Sequence, residues 1–280
     1  MEHLTADLSY WIVERYAIKE RREAGLPKPW STDHIFQGVR FCNVHREDDA
    51  VTKWIRKNWN MGHHPAWMFV LARMFNLPAT LEDITDKTDI IQFPENQPLD
   101  GLREGLKDRQ FCGEKLFTSA YTISTCGKSM DKVDYVLDWV VQRTMDFEGH
   151  IDYTSCSTTW HSLTLIDGLG SFLAAQVVAD MKNTDGHKLS TAQDWWTFSK
   201  SGPGSLRGLS WYFYGEPEKV RPPAYDQHLK GCREEVDPLI PAMIPRISDQ
   251  DFQNCLCEFS KYMKVKKDNR AHVRNRFKGY

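Results

Sequence analysis

The chain has 280 residues, of which 41% are hydrophobic and 26% charged, with a formal net charge of -2 at pH 7. This is a globular composition with room for a large core, and no apolar run approaches the roughly 20 residues that a bilayer span requires. The opening "MEHLTADLSYW" has acidic residues and no basic-then-apolar pattern, so it does not read as a signal peptide, and a cytoplasmic protein without membrane attachment is expected.

Helical periodicity dominates from the start. Residues 8–25 place Leu8, Trp11, Ile12, Tyr16 and Ile18 on an amphipathic helix that stops at Gly25, ahead of Pro27 and Pro29. A Ser31 or Thr32 cap then opens a helical pattern over 31–59. Within it Arg40, Asn43 and Glu47 share one face at helical spacing. A helix over 64–78 begins with Pro65 in its first turn and ends before Pro78. Segments 80–88, 101–109, 132–147, 159–167 and 248–266 repeat the amphipathic style, and 116–125 ("LFTSAYTIST") is the one strand candidate. A mostly α-helical chain of one domain over 1–280, with two lobes, follows.

The seven cysteines include no C-x-x-C pair, so zinc ribbons, redox motifs and iron–sulfur loops are unsupported. Reduced and mostly buried thiols are expected. Charge is uneven. The tail 261–280 carries eight Lys/Arg up to Lys278, Lys264, Lys266 and Lys267 among them, against the single acid Asp268. Such a run serves either as a solvated helix end or as a contact to a phosphate backbone.

Five stretches invite chemistry. "ISTCGKS" ends like a phosphate loop, but Thr122 stands where the first glycine belongs, and no strand and helix frame it. The segment 39–55 concentrates Arg40, Asn43, His45, Arg46, Glu47, Asp48, Asp49 and Thr52, either as a solvated charged face or as a polar site for a base, phosphate or amino acid. His63 and His64 are adjacent and have no acid at helical spacing, so a metal site is not expected. "IDGLGSFLA", 166–174, has the pattern of a hairpin between two helices (about 160–182). Its Gly168, Leu169 and Gly170 can turn backbone amides toward a phosphate. Finally, 192–215 sets Asp194 beside Trp195 and Trp196, where desolvation is expected to raise its pKa. Gly202, Pro203, Gly204 and Ser205 form a loop near Arg207, a possible anion clamp.

A hairpin followed one helix later by an acid is the arrangement of helix-hairpin-helix DNA glycosylases. "WIVERYAIKERREAGLPKPWSTD", "RFCNVHREDDAVTKW", "AYTI", "GLGSFLAAQVVADM", "GPGSLRGL" and "LCEFSKY" together resemble a narrower group, the α-glutamyl/putrescinyl thymine pyrophosphorylases. These are glycosylase-related, all-helical amino acid:DNA transferases best known from bacteriophages. Phe41, Asn43, Arg46 and Asp49 also share the F-x-N-x-x-R-x-x-D character of the helical domain fused to hydroxymethyluracil DNA kinases, although the chain lacks that enzyme's nucleotide loop.

The resemblance implies an all-α, DNA-glycosylase-like fold with two helical lobes, no cofactor and no metal. It implies 5-phosphomethyl-deoxyuridine in DNA and a free amino acid or polyamine as substrates, in the host cytoplasm if the protein is a phage product. Asp194 would be general base or nucleophile. Arg40, Asn43, Arg46 and Asp49 would line the pocket, and Gly202, Ser205 and Arg207 would hold an anion. Gly168, Leu169 and Gly170, with Lys264, Lys266 and Lys267, would grip DNA, and the target base would be flipped out. The hairpin has no lysine at 173–177, which argues against an imine-forming glycosylase. A monofunctional glycosylase and a DNA-recognition module of a hydroxymethyluracil-modifying complex are the competing readings.

Overall fold

The computed structural model describes residues 4–59, 64–88, 99–118 and 123–268; of residues 85–88 it describes the backbone alone. Its elements are helical, and no strand occurs among the described residues. The chain divides into two compact units, one formed by Met1–Asp49 with Ser199–Tyr280, the other by Ala50–Phe198.

In the first unit, α1 (Thr5–Glu23) buries Leu8, Trp11 and Ile12 completely. They join a core with α11 (Pro203–Tyr214), α12 (Tyr225–Val236) and α13 (Asp249–Lys267). Helices α11 and α13 pack almost backbone to backbone. A Cβ on Gly204 would lie 2.1 Å from Cys257 Sγ, and one on Gly208 would lie 2.2 Å from the Leu256 carbonyl oxygen. The glycines of "GPGSLRGL" thus serve helix contact. Ser205, expected to face an anion, is fully buried, and its hydroxyl is spent in a box with the backbone of Gly202 that starts α11.

The helix expected over 31–59 does not exist as one piece. Asp33, rather than Ser31 or Thr32, caps a short α2 (His34–Gly38) by accepting from Ile35 N. Beyond it, Val39, Phe41 and Val44 are buried while Arg40 is exposed, and the helix ends at Val39 in extended backbone. The β-branched and aromatic residues go into the core from a non-helical path; one 3-10 turn, Arg46–Asp48, follows, and α-helix resumes at α3 (Ala50–Trp59). Arg40, Asn43 and Glu47 therefore do not share a helix face.

In the second unit, α4 (Ala66–Phe75) is buried along its whole length and forms the centre of a second core. Around it lie α3, α5 (Pro78–Thr88), α6 (Asp100–Phe111), α9 (Cys156–Thr164) and α10 (Ser171–Lys182). Between α6 and α9 in the chain, α7 (Lys132–Asp134) widens into a π-helical stretch, Tyr135–Val141, before α8 (Gln142–Phe147). The core includes one charged network. The Arg73 guanidinium, on α4, engages both carboxylate oxygens of Asp180, on α10, and donates to Thr52 Oγ1 at 2.9 Å and Asn76 Oδ1 at 2.8 Å. Arg56 adds a 3.1 Å contact to Asp180. Such a pair is tolerable in a core because nearly every lone pair and N–H finds a partner. Thr52, offered by the sequence as a ligand group, is thus a buried acceptor for Arg73.

The strand candidate is not realised in its described part, and its residues 119–122, like His63 and the tail beyond Asp268, lie outside the described residues. Of the cysteines, Cys156, Cys232 and Cys255 are buried, but Cys42, Cys112 and Cys126 are exposed; all seven are free thiols. No helix among the described residues is long and apolar enough to cross a membrane.

Candidate nucleic-acid interface and base-modification site

The stretch 156–182 forms two helices joined by a tight turn. Ser155 caps α9 through a reciprocal box with Thr158, and α9 ends at Leu165. The turn closes with Leu169 N donating to Ile166 O at 3.0 Å. Gly168 sits at φ +101°, in the region where a side chain is strained. A Cβ there would also meet Val140 Cγ2 at 2.7 Å and Tyr135 Oη at 2.9 Å, so the turn lies directly on the π-helical stretch.

The three hairpin residues singled out by sequence have different environments. Leu169 is buried and its amide is used within the turn. Gly170 is exposed, with open space around its Cα, and α10 starts there with no side-chain cap. Leu165 and Phe172 flank the turn and are exposed at 64% and 55%, an uncommon position for large apolar groups on both sides of a turn.

Asp194 is built into the same helical pair. Its Oδ1 accepts from Cys156 N at 2.8 Å and its Oδ2 from Ser157 N at 2.9 Å, so the carboxylate closes the start of α9. Burial alone would raise its pKa, but these amide donors outweigh burial and hold it below the usual carboxylate range. The expected upward shift is therefore reversed: burial is the largest single influence, but the hydrogen bonds from residues 156 and 157 together exceed it. Trp195 stitches the other helix. Its indole donates to Lys182 O at 2.6 Å, while the buried Lys182 ammonium donates to Trp195 O at 2.8 Å and lies 4.4 Å from the indole ring centre. The segment following the hairpin thus ties the beginning of α9 to the end of α10.

The polar run 40–49 belongs to the first unit and is largely occupied in holding its own backbone. Arg15, buried on α1, donates to Cys42 O at 2.8 Å, to Phe41 O at 3.4 Å and to Asn43 Oδ1. Asn43 Nδ2 donates to Asp48 O at 2.7 Å. The carboxylate of Glu258, on α13, accepts from Cys42 N at 3.1 Å, and Asp251 accepts from Arg46 N at 2.9 Å. Phe41 packs edge-on against Trp11 and Phe36. Of the motif Phe41, Asn43, Arg46 and Asp49, the first two members are structural in this sense, whereas Asp49 is exposed. Arg40 and Arg207 are exposed cations of the same unit. Lys264, Lys266 and Lys267 lie on the solvent face at the end of α13, with Lys266 paired to Asp7 at 2.6 Å.

Sequence reasoning missed the anchors Arg15, Arg73, Asp180 and Lys182. Charged residues in apolar stretches, such as the arginine in "WMFVLARMF", were their only signal. Among the described residues no cluster of three or more His, Cys, Asp or Glu is arranged to hold a metal ion.

Two helices joined by a tight turn, among described elements that are all helical, are compatible with several DNA-directed activities, and comparison narrows the class. The family model of the helical domain of 5-hmdU DNA kinase matches residues 2–272, and the chain belongs to that family. Membership links it to the modification of hydroxymethyluracil in DNA. Neither the curated proteins nor the solved structures gave a match.

Proposed function

We propose that the chain is an amino acid (or polyamine):DNA transferase acting on 5-phosphomethyl-deoxyuridine, a base derived from hydroxymethyluracil. The observation that carries this reading is the family match over almost the whole chain, which points to hydroxymethyluracil in DNA. The motifs shared with the thymine pyrophosphorylases narrow it to amine transfer. In the reaction a neutral amine nitrogen forms a bond to the exocyclic methylene, the carbon–oxygen bond to phosphate breaks, and the proton of the incoming ammonium is lost to a base.

The hairpin backbone at Gly168–Gly170, with Lys264, Lys266 and Lys267, grips the DNA backbone in this reading, and the base is flipped to reach the site. Arg40 and Arg207 are exposed guanidiniums suited to the departing phosphate or an amino-acid carboxylate. Arg46 and Asp49, of the same unit, are the polar groups that would bind the substrate. Asp194 acts as a fixed negative charge rather than as a proton acceptor, since a carboxylate held by two amides is a poor base.

Incubation of duplex DNA containing 5-phosphomethyluracil with a mixed pool of amines, followed by enzymatic digestion and mass analysis of the nucleosides, tests the proposal. An aminated nucleoside is expected. Free base without an adduct would instead establish a glycosylase.

A further inference from the structure

A cationic cluster beside the hairpin belongs to none of the groups above. Lys128 comes from the "CGKS" turn, in which Cys126 and Gly127 have φ of +53° and +80° and Lys128 N donates to Thr125 O at 3.0 Å. Arg143 comes from α8. The Lys128 ammonium nitrogen and the Arg143 guanidinium carbon each lie 3.6 Å from the ring centre of Trp139, on the π-helical stretch. The Trp139 indole N–H donates to Asp167 Oδ2 at 2.9 Å, and Asp167 precedes Gly168 in the hairpin turn. The carboxylate is 4.0 Å from both cations, beyond hydrogen-bonding distance.

This geometry has two consequences. Both cations are preordered by the indole face and by the seat of Gly168 on Val140 and Tyr135, so little freedom is lost when they engage a ligand. At the same time, neither donates a hydrogen bond to any described group, so the N–H donors of both are unspent. Two cations against one carboxylate leave net positive charge on an exposed rim of the hairpin.

We propose that Lys128 and Arg143, stacked on Trp139, form a phosphate-backbone contact for DNA adjoining the hairpin, with Asp167 as the internal anion that phosphate displaces. The proposal rests on the DNA-binding reading above and adds a second contact to it. Ammonium and guanidinium groups held on one indole suit the non-bridging oxygens of two successive phosphodiesters. The contact carries no sequence information and is indifferent to the modified base.

Titration of a fluorescein-labelled duplex by anisotropy between 50 and 200 mM salt tests it. Each phosphate contact contributes about 0.9 to the slope of log K against log salt, so Lys128→Ala and Arg143→Ala together should flatten the slope by about 1.8 and weaken low-salt binding by about tenfold. Lys230→Ala, removing an exposed lysine of the other unit, serves as the net-charge control and should leave the slope unchanged. Asp167→Asn keeps an acceptor for the indole but removes the competing charge, so it should bind DNA severalfold more tightly at 50 mM salt. A cluster with only a structural role would not produce that gain. A double variant with the wild-type slope, or an Asp167→Asn variant that fails to bind more tightly, overturns the assignment while leaving the DNA reading intact. Failure of the wild-type protein to bind duplex at 50 mM salt overturns the DNA reading itself.

Discussion

Gly168→Ala is the sharpest perturbation of the hairpin. At φ +101° an alanine is forced into backbone space that costs about 1–3 kcal/mol, before any contact is considered. Its methyl would then stand 2.7 Å from Val140 Cγ2 and 2.9 Å from Tyr135 Oη, both on side chains with 1% exposure or less. Neither neighbour has solvent to move into, so overpacking adds about 1–3 kcal/mol. A loss of about 3 kcal/mol or more in urea unfolding is expected, with an unchanged m-value. Gly170→Ala, two residues on, meets no atom within 4 Å and has φ −65°, so its effect should stay below about 1 kcal/mol. Val140→Ala removes the obstructing methyl. In that background the Gly168→Ala cost should shrink by about 1 kcal/mol, a coupling expected only if the two groups collide. Equal effects of the two glycine substitutions, or additivity with Val140→Ala, would refute the packing argument.

Other outcomes follow from the same geometry. Asp180→Asn leaves the buried Arg73 and the partly buried Arg56 without their shared anion and should destabilise the protein by about 3–5 kcal/mol in chemical unfolding. Gly208→Ala meets the Leu256 backbone, which cannot step aside, and should lower Tm more than a typical surface Gly→Ala change, as calorimetry would show. Asp194→Asn replaces an acceptor of two amides, with an expected cost of about 1–2 kcal/mol at pH 7. Because the folded pKa of Asp194 lies below its unfolded value, its contribution is present above the unfolded pKa and is lost as pH falls through the folded one, so the variant should show a shallower acid loss. Burial and then Lys188 push His187 down from 6.5 to about 4. The unfolded chain therefore binds more protons between those values, and up to about 3 kcal/mol of stability should be lost as pH falls from 6.5 to 4. His187→Asn keeps an acceptor for Leu189 N and should flatten Tm over that interval.

The helical class and the hairpin were legible because both are written in local spacing. The amphipathic stripe of α1 ends at its glycine, and a two-glycine turn separates two helical runs. What sequence could not convey is where a polar group spends its hydrogen bonds. Asp194 reads as an acid beside two tryptophans, yet the amides that set its protonation come from residues 156 and 157. "GPGSLRGL" reads equally well as an anion loop or as a helix seam, and only the proximity of Leu256 and Cys257 decides for the seam. The polar run 39–49 misled for a related reason. Its charges suggested a helix face, but Val39, Phe41 and Val44 draw the backbone into a non-helical path held by Arg15 and Glu258. Lys128 shows the converse, since a failed phosphate-loop motif delivers a cation to the hairpin through a turn that its sequence alone does not place.

The central claim, that an amine replaces phosphate on a base that stays in the strand, is tested most directly by one double-label reaction. Duplex DNA carrying 5-phosphomethyluracil is mixed with the protein and nitrogen-15-labelled amines, and released phosphate and label retained in DNA are followed together. Amination predicts that phosphate appears only when amine is present, and in equal amount to the label incorporated. Phosphate release without incorporation, release of free base, or unchanged DNA would contradict it.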